Sequence, residues 1–322
     1  MSKRLRWGIL GAAKIAYEHV GPAIMRARGS DLVALATHNV ARATEAFDFA
    51  QSLRVHDSYE ALLADPEVDA IYIPLPNSMH VEWTKRVLEA GKHVLCEKPI
   101  ALRASEIDDL IAARDASGLM AAEGFMVCHH PQWRRVKTLL AEGAIGDLEH
   151  VEAAFSFRNT DLNNIRNRPE MGGGAMLDIG VYPSIGTRFV TGAEPVSIRS
   201  DLRMENGVDV FGRVWAEFPN FTLSFYCGIR HAGRQNIVFH GTEGTIELTV
   251  PFNAGVAGDP QLILRKGYLQ AVIERFGPVN QYQLMIEAFA RSALDGEEFA
   301  CPLELSRGNQ VMIDGILAGG LR

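Results

Sequence analysis

Cysteine is scarce and scattered in this chain. The four cysteines are Cys96, Cys128, Cys227 and Cys301, and none has the CxxC spacing of a zinc or redox motif. In a chain of 322 residues we expect them to be free thiols in a reducing compartment, which predicts a cytoplasmic protein. Cys128-His129-His130 resembles a fragment of a metal site, but no further ligand follows at ligand spacing, so no metal is predicted.

Long hydrophobic runs and an excess of positive charge are also missing. No stretch approaches the ~18 apolar residues of a membrane span, and the first apolar stretch is cut by Gly8, Gly11 and Lys14. We therefore expect neither a membrane helix nor a signal peptide. The 32 Lys and Arg against 39 Asp and Glu give a net charge of −7. This balance argues against nucleic-acid and anionic-membrane partners.

Short apolar runs alternate with helical spacing in the first third of the chain. Leu5–Leu10, Leu32–Ala36, Ala70–Ile73 and His93–Cys96 read as strands. Amphipathic segments lie between them, and the first, Lys14–Arg28, has the spacing of a helix. This alternation is typical of βαβ units and predicts a doubly wound parallel sheet of the α/β class. We place this domain at residues 1–123.

The pattern changes after about Glu149. Six consecutive segments have strand character: Val151–Arg158, Val196–Arg203, Val208–Phe218, Phe221–Ile229, Asn236–His240 and Thr245–Val250. The tetrapeptide Gly241–Gly244 reads as a hairpin connection. Residues 124–322 are therefore predicted to form an α+β domain with a large open, mostly antiparallel sheet, for substrate binding and oligomerisation.

A glycine-rich turn ends the first predicted strand. Gly11–Ala16, with the sequence GAAKIA, matches the GxGxxG/A fingerprint with alanine replacing the second glycine. Gly11 permits a tight turn, and the small Ala13 lets the backbone approach a pyrophosphate at the helix N-terminus. The turn predicts a dinucleotide cofactor, and a glycine turn in an unrelated α/β domain is the alternative.

The second predicted strand ends without a carboxylate. Enzymes that use NAD usually carry an acidic residue there for the ribose hydroxyls, whereas this chain has Thr37 and His38, with Arg42 close behind. A hydroxyl, an imidazole and a guanidinium can hold a 2′-phosphate, so we predict NADP, with NAD as the alternative. These side chains can also be no more than capping and solvated residues.

Glu97-Lys98-Pro99 follows the buried strand His93–Cys96. A lysine at this position loses hydration, which is costly in a structural role and useful in a catalytic one. We predict that Lys98 bonds the reacting oxygen and that Glu97 anchors the turn, with a cis bond before Pro99 as a further hypothesis. The alternative is a lysine that only pairs at the surface.

Prolines end the preceding strand, at Pro74 and Pro76. Asn77 is predicted to cap the next helix. His80 falls in the first turn of that helix, where a lone histidine is more often structural than catalytic.

A triple glycine, Gly172–Gly174, forms a loop that a ligand can approach closely. Asp178 and Tyr182 follow four residues apart, on one predicted helical face. A carboxylate and a phenol on one face suit the orientation of a sugar hydroxyl and proton transfer. The alternative is a helix start with Asp178 as a cap and Tyr182 in the core.

With these motifs the chain resembles the Gfo/Idh/MocA oxidoreductase family, the glucose–fructose oxidoreductase and inositol dehydrogenase group. The Glu-Lys-Pro and triple-glycine motifs together are highly specific. The matching segments run nearly end to end: Gly11–Ala16, Pro76–His80, Gly91–Val94, Glu97–Pro99, Phe125–Met126, His129–Pro131, Gly172–Gly174 and Asp178–Gly180.

The resemblance implies a Rossmann domain, a second α/β domain with an open sheet, a nicotinamide cofactor and a sugar or polyol substrate. It suggests Lys98 as the active-site lysine and places Asp178 and Tyr182 in the substrate pocket. We predict all three to be catalytic and to bind substrate. Tyrosine at position 182, where many members have histidine, is the pattern of the branch that resembles glucose–fructose oxidoreductase, dihydrodiol dehydrogenase, xylose dehydrogenase and anhydrofructose reductase. It favours aldose or keto-sugar substrates over inositol.

Further contacts are also predicted. The polar loop Asn159–Arg168 favours a hydroxyl-rich ligand, and Arg166 within it is predicted to bind substrate. The residues predicted to contact the cofactor are Gly8, Gly11, Ala12, Ala13, Lys14, Ile15, Thr37, His38, Arg42, Pro74, Leu75, Asn77, His80, Glu97 and Lys98.

Two positions depart from the family pattern. Val127-Cys128 replaces a common Tyr-Arg, so any contact made by that arginine is missing. Thr37-His38 replaces the Ser-Arg that is frequent in members using NADP.

The sequence leaves several functions open. The leading prediction is an NAD(P)-dependent sugar dehydrogenase or reductase. Alternatives are a dehydrogenase of aromatic dihydrodiols or other non-sugar substrates, and a cofactor-binding regulator without catalysis. Apolar residues on both faces of Phe221–Ile229 and Val208–Phe218 predict a homodimer or a dimer of dimers, because both faces of such a sheet need cover.

Overall fold

The computed structural model describes residues 3–267 and 269–321, without the side chains of residues 41, 42, 44 and 321. The chain forms two compact units. The first contains Met1–Ala101, Ser105–His129 and Asn280–Ser306, and the second contains Leu102–Ala104, His130–Val279 and Arg307–Arg322. The segment Asn280–Ser306 thus returns to the first unit. It does so through aromatic packing, since Phe289 lies 5.0 Å from Trp7 between ring centroids.

The first unit contains a parallel sheet of six strands in its described part. Its strands are β1 Leu5–Leu10, β2 Ser30–Ala36, β3 Arg54–His56, β4 Ala70–Ile73, β5 His93–Cys96 and β6 Ala121–Glu123. Their order is β3-β2-β1-β4-β5-β6, and every ladder is parallel. The predicted doubly wound sheet is confirmed. In such sheets ligands bind at the carboxyl ends of the strands.

The described residues include nine α-helices. They are α1 Gly21–Arg26, α2 Val40–Ala46, α3 Tyr59–Leu63, α4 His80–Glu89, α5 Ala104–Ser117, α6 Pro131–Ala141, α7 Val181–Thr191, α8 Gln281–Asp295 and α9 Leu303–Leu317. One π-helical turn, Ala16–Val20, precedes α1, and another, Met176–Gly180, precedes α7. None of the described helices has the length and apolar character needed to cross a bilayer.

Two predicted helix starts differ in the structure. The sequence predicts one helix over Lys14–Arg28, but the wide turn before α1 interrupts it, because Pro22 has no N–H to continue the regular ladder. Gly21 instead donates to the carbonyl of Ala16. The predicted cap at Asn77 is wrong, since Asn77 begins a short 3₁₀ turn and Met79 occupies the cap position of α4.

The second unit contains a sheet of nine strands in its described part. They are β7 Leu148–Arg158, β8 Ser197–Glu205, β9 Val208–Glu217, β10 Thr222–Gly228, β11 Arg230–Gly241, β12 Thr245–Leu248, β13 Gln261–Lys266, β14 Gln270–Arg275 and β15 Gly320–Leu321. Their order is β14-β13-β12-β11-β7-β10-β9-β8-β15. Among the described ladders, β7 with β10 is parallel and the others are antiparallel. The predicted open, mostly antiparallel sheet is confirmed, as is the hairpin at Gly241–Gly244.

The two faces of this sheet have different surroundings. Leu223, Phe225 and Cys227 are buried on the face that packs against the helical segment Met176–Thr191. The opposite face carries Phe211, which is half-buried, and Trp215, which is 42% exposed. The covered face positions the triple-glycine loop and the helix that follows it.

Candidate active site

The glycine turn after β1 has the backbone that the fingerprint requires. Gly11 has φ +99°, and a Cβ at this position would lie 3.0 Å from Cδ2 of Leu75. The Gly11 N–H donates to the carbonyl of Ala36 on β2. A side chain here would be both strained and crowded, so the bare backbone can be approached closely. These features fit a bound pyrophosphate at the helix start.

The other residues of this turn have separate roles. Ala12, Ala13 and Ile15 are half-buried. Lys14 is 75% exposed and lies 3.5 Å from a carboxylate oxygen of Glu18.

Gly8 was also predicted to contact the cofactor. It lies inside β1, where a Cβ would come within 2.9 Å of Cδ1 of Leu62 and 3.0 Å of Cδ1 of Ile71. Its small size therefore serves the packing of α3 on the sheet. We leave it out of the proposed cofactor contacts.

The carboxyl end of β2 carries Thr37 and His38 as predicted. Thr37 is buried, and its hydroxyl accepts a hydrogen bond from the Asn39 N–H at 3.1 Å. His38 is exposed, with its ring centroid 4.8 Å from that of Tyr59. The Arg42 side chain lies outside the described residues. Sequence reasoning missed Tyr59, which also lies close to the glycine turn. A Cβ built at Gly11 would lie 3.7 Å from the Tyr59 hydroxyl oxygen.

Glu97 and Lys98 stand at the carboxyl end of β5, both half-buried. The Tyr72 hydroxyl donates to Glu97 Oε1 at 2.7 Å, and the Glu97 N–H donates to the carbonyl of Ile73. The Lys98–Pro99 peptide is cis, as hypothesised. Glu97 is thus held by its neighbours at the sheet edge, in agreement with its predicted anchoring role.

His80 supports the same edge from the start of α4. It is fully buried, with Nδ1 2.7 Å from the carbonyl oxygen of Pro99 and Nε2 2.7 Å from that of Leu75. Burial lowers the pKa of His80. Both partners only accept, so a neutral imidazole donates to one of them. His80 therefore connects the loop after β4 with the turn after Lys98.

Glu123, at the end of β6, is a buried acid that sequence reasoning missed. It is 3% exposed, and its Oε1 accepts from the Ile100 N–H at 2.9 Å. Burial raises its pKa to about 7, although hydrogen bonds from the Ser306 side chain and the Ile100 N–H oppose this. Glu123 therefore braces the turn that follows Lys98.

In the second unit, glycine is required throughout the loop before α7. Gly172 has φ +73° and Gly174 has φ +119°. At Gly173 a Cβ would lie 2.7 Å from the carbonyl oxygen of Arg166 and 2.8 Å from that of Arg168. The loop therefore folds directly onto the backbone around Arg166.

This folding brings together three of the predicted site residues. Arg166 Nε donates to Asp178 Oδ2 at 2.5 Å. The carboxylate of Asp178 raises the pKa of Arg166, and Tyr182 acts on it in the same direction. The second unit thus holds a guanidinium, a carboxylate and a phenol in one group.

Tyr182 sits in aromatic surroundings. It is 5% exposed, and its ring centroid lies 5.6 Å from those of both Phe155 and Phe252. The ring of Tyr182 is therefore held by packing against Phe155 of β7 and Phe252 of the loop after β12.

Several polar side chains of the loop Asn159–Arg168 are used within the loop itself. Asn164 Oδ1 accepts from the Arg166 N–H at 3.1 Å, and Asn167 Nδ2 donates to the carbonyl of Asp161 at 2.7 Å. These bonds hold the loop conformation that presents Arg166 to Asp178.

The sequence fragment Cys128-His129-His130 is buried. In residues 3–267 and 269–321, no three His, Cys, Asp or Glu side chains are grouped as metal ligands. The four cysteines are buried free thiols.

Comparison with known proteins agrees with these motifs. Residues 5–125 match the family described as the Gfo/Idh/MocA oxidoreductase family, NAD-binding Rossmann fold. Residues 133–247 match the Gfo/Idh/MocA C-terminal domain. The chain belongs to the Gfo/Idh/MocA oxidoreductase family. The predictions of family, Rossmann fold and NAD(P)-dependent oxidoreductase activity are confirmed.

Relatives cover nearly the whole chain. The dTDP-3,4-didehydro-2,6-dideoxy-alpha-D-glucose 3-reductase of Actinomadura kijaniata is 32% identical, over 98% of this chain and 95% of its own. The D-xylose 1-dehydrogenase (NADP(+)) 2 of Haloferax volcanii is 33% identical, over 91% and 90%. The solved structure of a 3-ketoreductase from Actinomadura kijaniata, in complex with NADP and TDP-benzene, has a TM-score of 0.91 and 31% identity, with 98% of each chain covered.

Proposed function

We propose that this protein transfers hydride between NADP(H) and a sugar at a carbonyl or hydroxyl carbon. The observation that carries the proposal is the group formed by Arg166, Asp178 and Tyr182 in the second unit. Carboxylate and guanidinium together suit a ligand rich in hydroxyl groups, and the phenol supplies a proton donor. Relatives named as a sugar reductase and a xylose dehydrogenase support the same substrate class.

NADP fits the first unit better than NAD. Thr37 and His38 stand at the end of β2 without a carboxylate, and Gly11, Ala12 and Ala13 form the turn for the pyrophosphate. Pro74, Leu75 and Glu97 lie at the ends of the neighbouring strands, where the nicotinamide end of a dinucleotide binds in such sheets. When bound, the cofactor supplies or accepts the hydride.

The side chains of this chain handle the oxygen and its proton. In the reducing direction, Lys98 donates a hydrogen bond to the substrate carbonyl oxygen and stabilises the negative charge that develops there. Tyr182 gives its hydroxyl proton to that oxygen, so the C=O group gains a hydride at carbon and a proton at oxygen. Asp178, oriented by Arg166, accepts hydrogen bonds from substrate hydroxyls. Oxidation reverses these steps.

Solved variants of the Actinomadura 3-ketoreductase support the assignment of Lys98 and Tyr182. In one variant a lysine is replaced by alanine, and in another a tyrosine is replaced by phenylalanine. These two positions are separated in that chain by the same number of residues as Lys98 and Tyr182.

An aromatic dihydrodiol is a second candidate substrate. Phe155 and Phe252 pack against Tyr182, and such apolar surroundings favour an apolar ring. A trans-1,2-dihydrobenzene-1,2-diol dehydrogenase from Bos taurus is 32% identical over 77% of this chain and 75% of its own.

Turnover measurements distinguish these functions. Aldoses, polyols, keto-sugars, a dTDP-keto-sugar and trans-dihydrodiols are each assayed by nicotinamide absorbance, with NADP(H) and with NAD(H). We expect turnover with at least one sugar and NADP(H). Turnover of dihydrodiols alone selects the second candidate. Tight NADPH binding without turnover of any of them contradicts the proposal and favours the regulator.

We further propose that copies of the chain associate through the sheet face that carries Trp215, and that the protein is cytoplasmic. The exposed Trp215 supports the first proposal, and the four free thiols support the second. Cell fractionation tests the location. A protein recovered outside the cytoplasmic fraction contradicts it.

A further inference from the structure

A buried carboxylate on β9 reaches the start of the helix that carries Asp178 and Tyr182. Asp209 is 3% exposed, and its Oδ2 accepts from the Met176 N–H at 2.7 Å. The Ala175 N–H bonds the same carboxylate. The first N–H groups of a helix have no acceptor within it, and the helix dipole favours a negative charge there. No side chain at the N-cap position, Ala175, caps this helix start. Asp209, on β9, supplies the acceptor instead.

Gly174, in the triple-glycine loop, packs directly against this carboxylate. At Gly174 a Cβ would overlap Asp209 Oδ1. The carbonyl of Gly174 in turn accepts from the Asp178 N–H at 3.2 Å. Asp209, Gly174 and the backbone of Asp178 thus form one connected contact.

We propose that Asp209 is a positioning residue for the reaction, and that its ionised carboxylate fixes the helix start at Ala175 and Met176 so that Asp178 and Tyr182 hold their places against the substrate. This inference rests on the function proposed above for those two side chains. In this proposal Asp209 acts through the helix start and not by direct contact with substrate or cofactor.

The surroundings of Asp209 make its ionisation sensitive to mild acid. Burial raises the pKa of Asp209 to about 6, although the N–H bonds from Met176 and Ala175 oppose this. Asp178 faces it from the helix as a second negative group. Cys227 faces it from β10, and burial raises the pKa of that thiol well above its ordinary value, so the thiol is neutral. On β8 the paired residue is Met204, which does not titrate.

Protonation weakens the cap. A neutral carboxyl group lacks the negative charge that the helix start favours, and its O–H oxygen is a weaker acceptor for a backbone N–H. Below about pH 6 the hold of Asp209 on the helix start therefore weakens, and kcat should fall with it.

The kinetic test compares Asp209→Asn with Asp259→Asn. Asp259 is exposed in the loop between β12 and β13, so it provides the same chemical change away from the site and from the face that carries Trp215. For Asp209→Asn at pH 7.5 we expect kcat to fall roughly ten- to a hundredfold, the scale of a small misplacement of catalytic groups. KM for NADPH should stay within about twofold, since the first unit holds the cofactor. The loss of kcat that we expect for the unmodified enzyme between pH 7 and pH 5 should be absent from the variant.

Hydrogen exchange tests the cap without relying on activity. In the unmodified protein, the peptide spanning residues 172–182 should lose protection between pH 7 and pH 5, after correction for intrinsic exchange rates. About nine tenths of a group with a pKa near 6 is protonated at pH 5. A peptide from α8, which is capped by the amide side chain of Asn280, should keep its protection.

The outcomes separate the two proposals. Protection of residues 172–182 that does not change with pH, or Asp209→Asn with unchanged kcat and an unchanged pH profile, overturns the role of Asp209. An unmodified protein that turns over no substrate but shows the pH-dependent exchange contradicts the proposed function, whereas it supports the cap.

Discussion

At the scale of single residues, Lys98 is the most direct test of the chemistry. Lys98→Met keeps the length and the apolar stem but removes the charge. Because the ammonium is proposed to stabilise charge on the reacting oxygen, turnover should fall at least about a hundredfold. NADPH binding, measured by fluorescence titration, should change by no more than a few-fold. Lys266→Met, on the exposed end of β13, is the matched control.

Tyr182→Phe completes this test, since it removes only the hydroxyl from a ring that is already held by Phe155 and Phe252. If Lys98→Met and Tyr182→Phe both retain near-normal turnover on the substrate, the proposed mechanism is wrong.

The raised pKa of Glu123 predicts that the free energy of unfolding depends on pH. Its folded-state pKa of about 7 lies above the ordinary 4.5, so the folded state holds a proton that the unfolded state has released between these values. The contribution of Glu123 to the free energy of unfolding therefore falls as pH rises from about 4.5 to 7 and is constant above. Glu123→Gln keeps an acceptor for the Ile100 N–H and removes this slope.

Thermal unfolding of both proteins from pH 4.5 to pH 8 measures the effect. Relative to the unmodified protein, Glu123→Gln should gain stability as pH rises through this range, by on the order of 2 kcal/mol. Glu89→Gln, at the exposed end of α4, should show no such gain. A difference between Glu123→Gln and the unmodified protein that is the same at every pH contradicts the raised pKa.

At the scale of elements, the end of β2 should decide the choice of cofactor. If the exposed His38 contacts the 2′-phosphate, NADPH should bind more tightly than NADH, since a charge-assisted hydrogen bond contributes about 1.5–3 kcal/mol. His38→Asp should invert the preference, because a carboxylate repels the phosphate and accepts from the ribose hydroxyls. Titration of both cofactors measures this, with His240→Asp, exposed on β11, as the control. Equal or tighter NADH binding by the unmodified protein would reject the assignment.

Elements with continuous apolar runs were predictable to the residue. β1, β4 and β5 have the predicted bounds, because strands buried on both faces show largely apolar sequence. β3 was not predicted, since Arg54-Val55-His56 offers one apolar residue. β14 was not predicted either, because its side chains are mostly exposed and carry no burial pattern.

The buried acids that support the site, Asp209 and Glu123, could not be predicted because the residues that they bond are far away in the sequence. Asp209 bonds a residue 33 positions away, and Glu123 one that is 23 positions away. Local spacing reveals the residues that meet a ligand when they share a turn or a helix, as Asp178 and Tyr182 do. It carries no signal for an acid that lies on a distant strand, and only the packing of the helical segment on β9 places Asp209 beside Met176.

At the scale of the whole molecule, the uncovered face of the nine-stranded sheet is the feature that the single chain leaves unexplained. Trp215 stacks on His150 at 5.5 Å between centroids, and Phe211 lies 6.0 Å from Tyr226. Arg213 and Asp201 form an exposed ion pair on the same face. Aromatic rings with neighbouring arginines are typical of the residues that dominate stable interfaces.

We therefore expect the protein to be at least a dimer in dilute neutral buffer, with a mass by light scattering of twice the 35.4 kDa chain or more. A stable interface needs about 800 Å² from each partner, which a broad sheet face can provide. Trp215→Arg places a charge on this face and should shift the mass toward that of one chain, because an unpaired buried charge is costly. Val256→Arg makes the same change at an exposed valine outside the strands and should leave the mass unchanged. A mass of 35.4 kDa for the unmodified protein, or a dimer that survives Trp215→Arg, shows that this face does not join the copies.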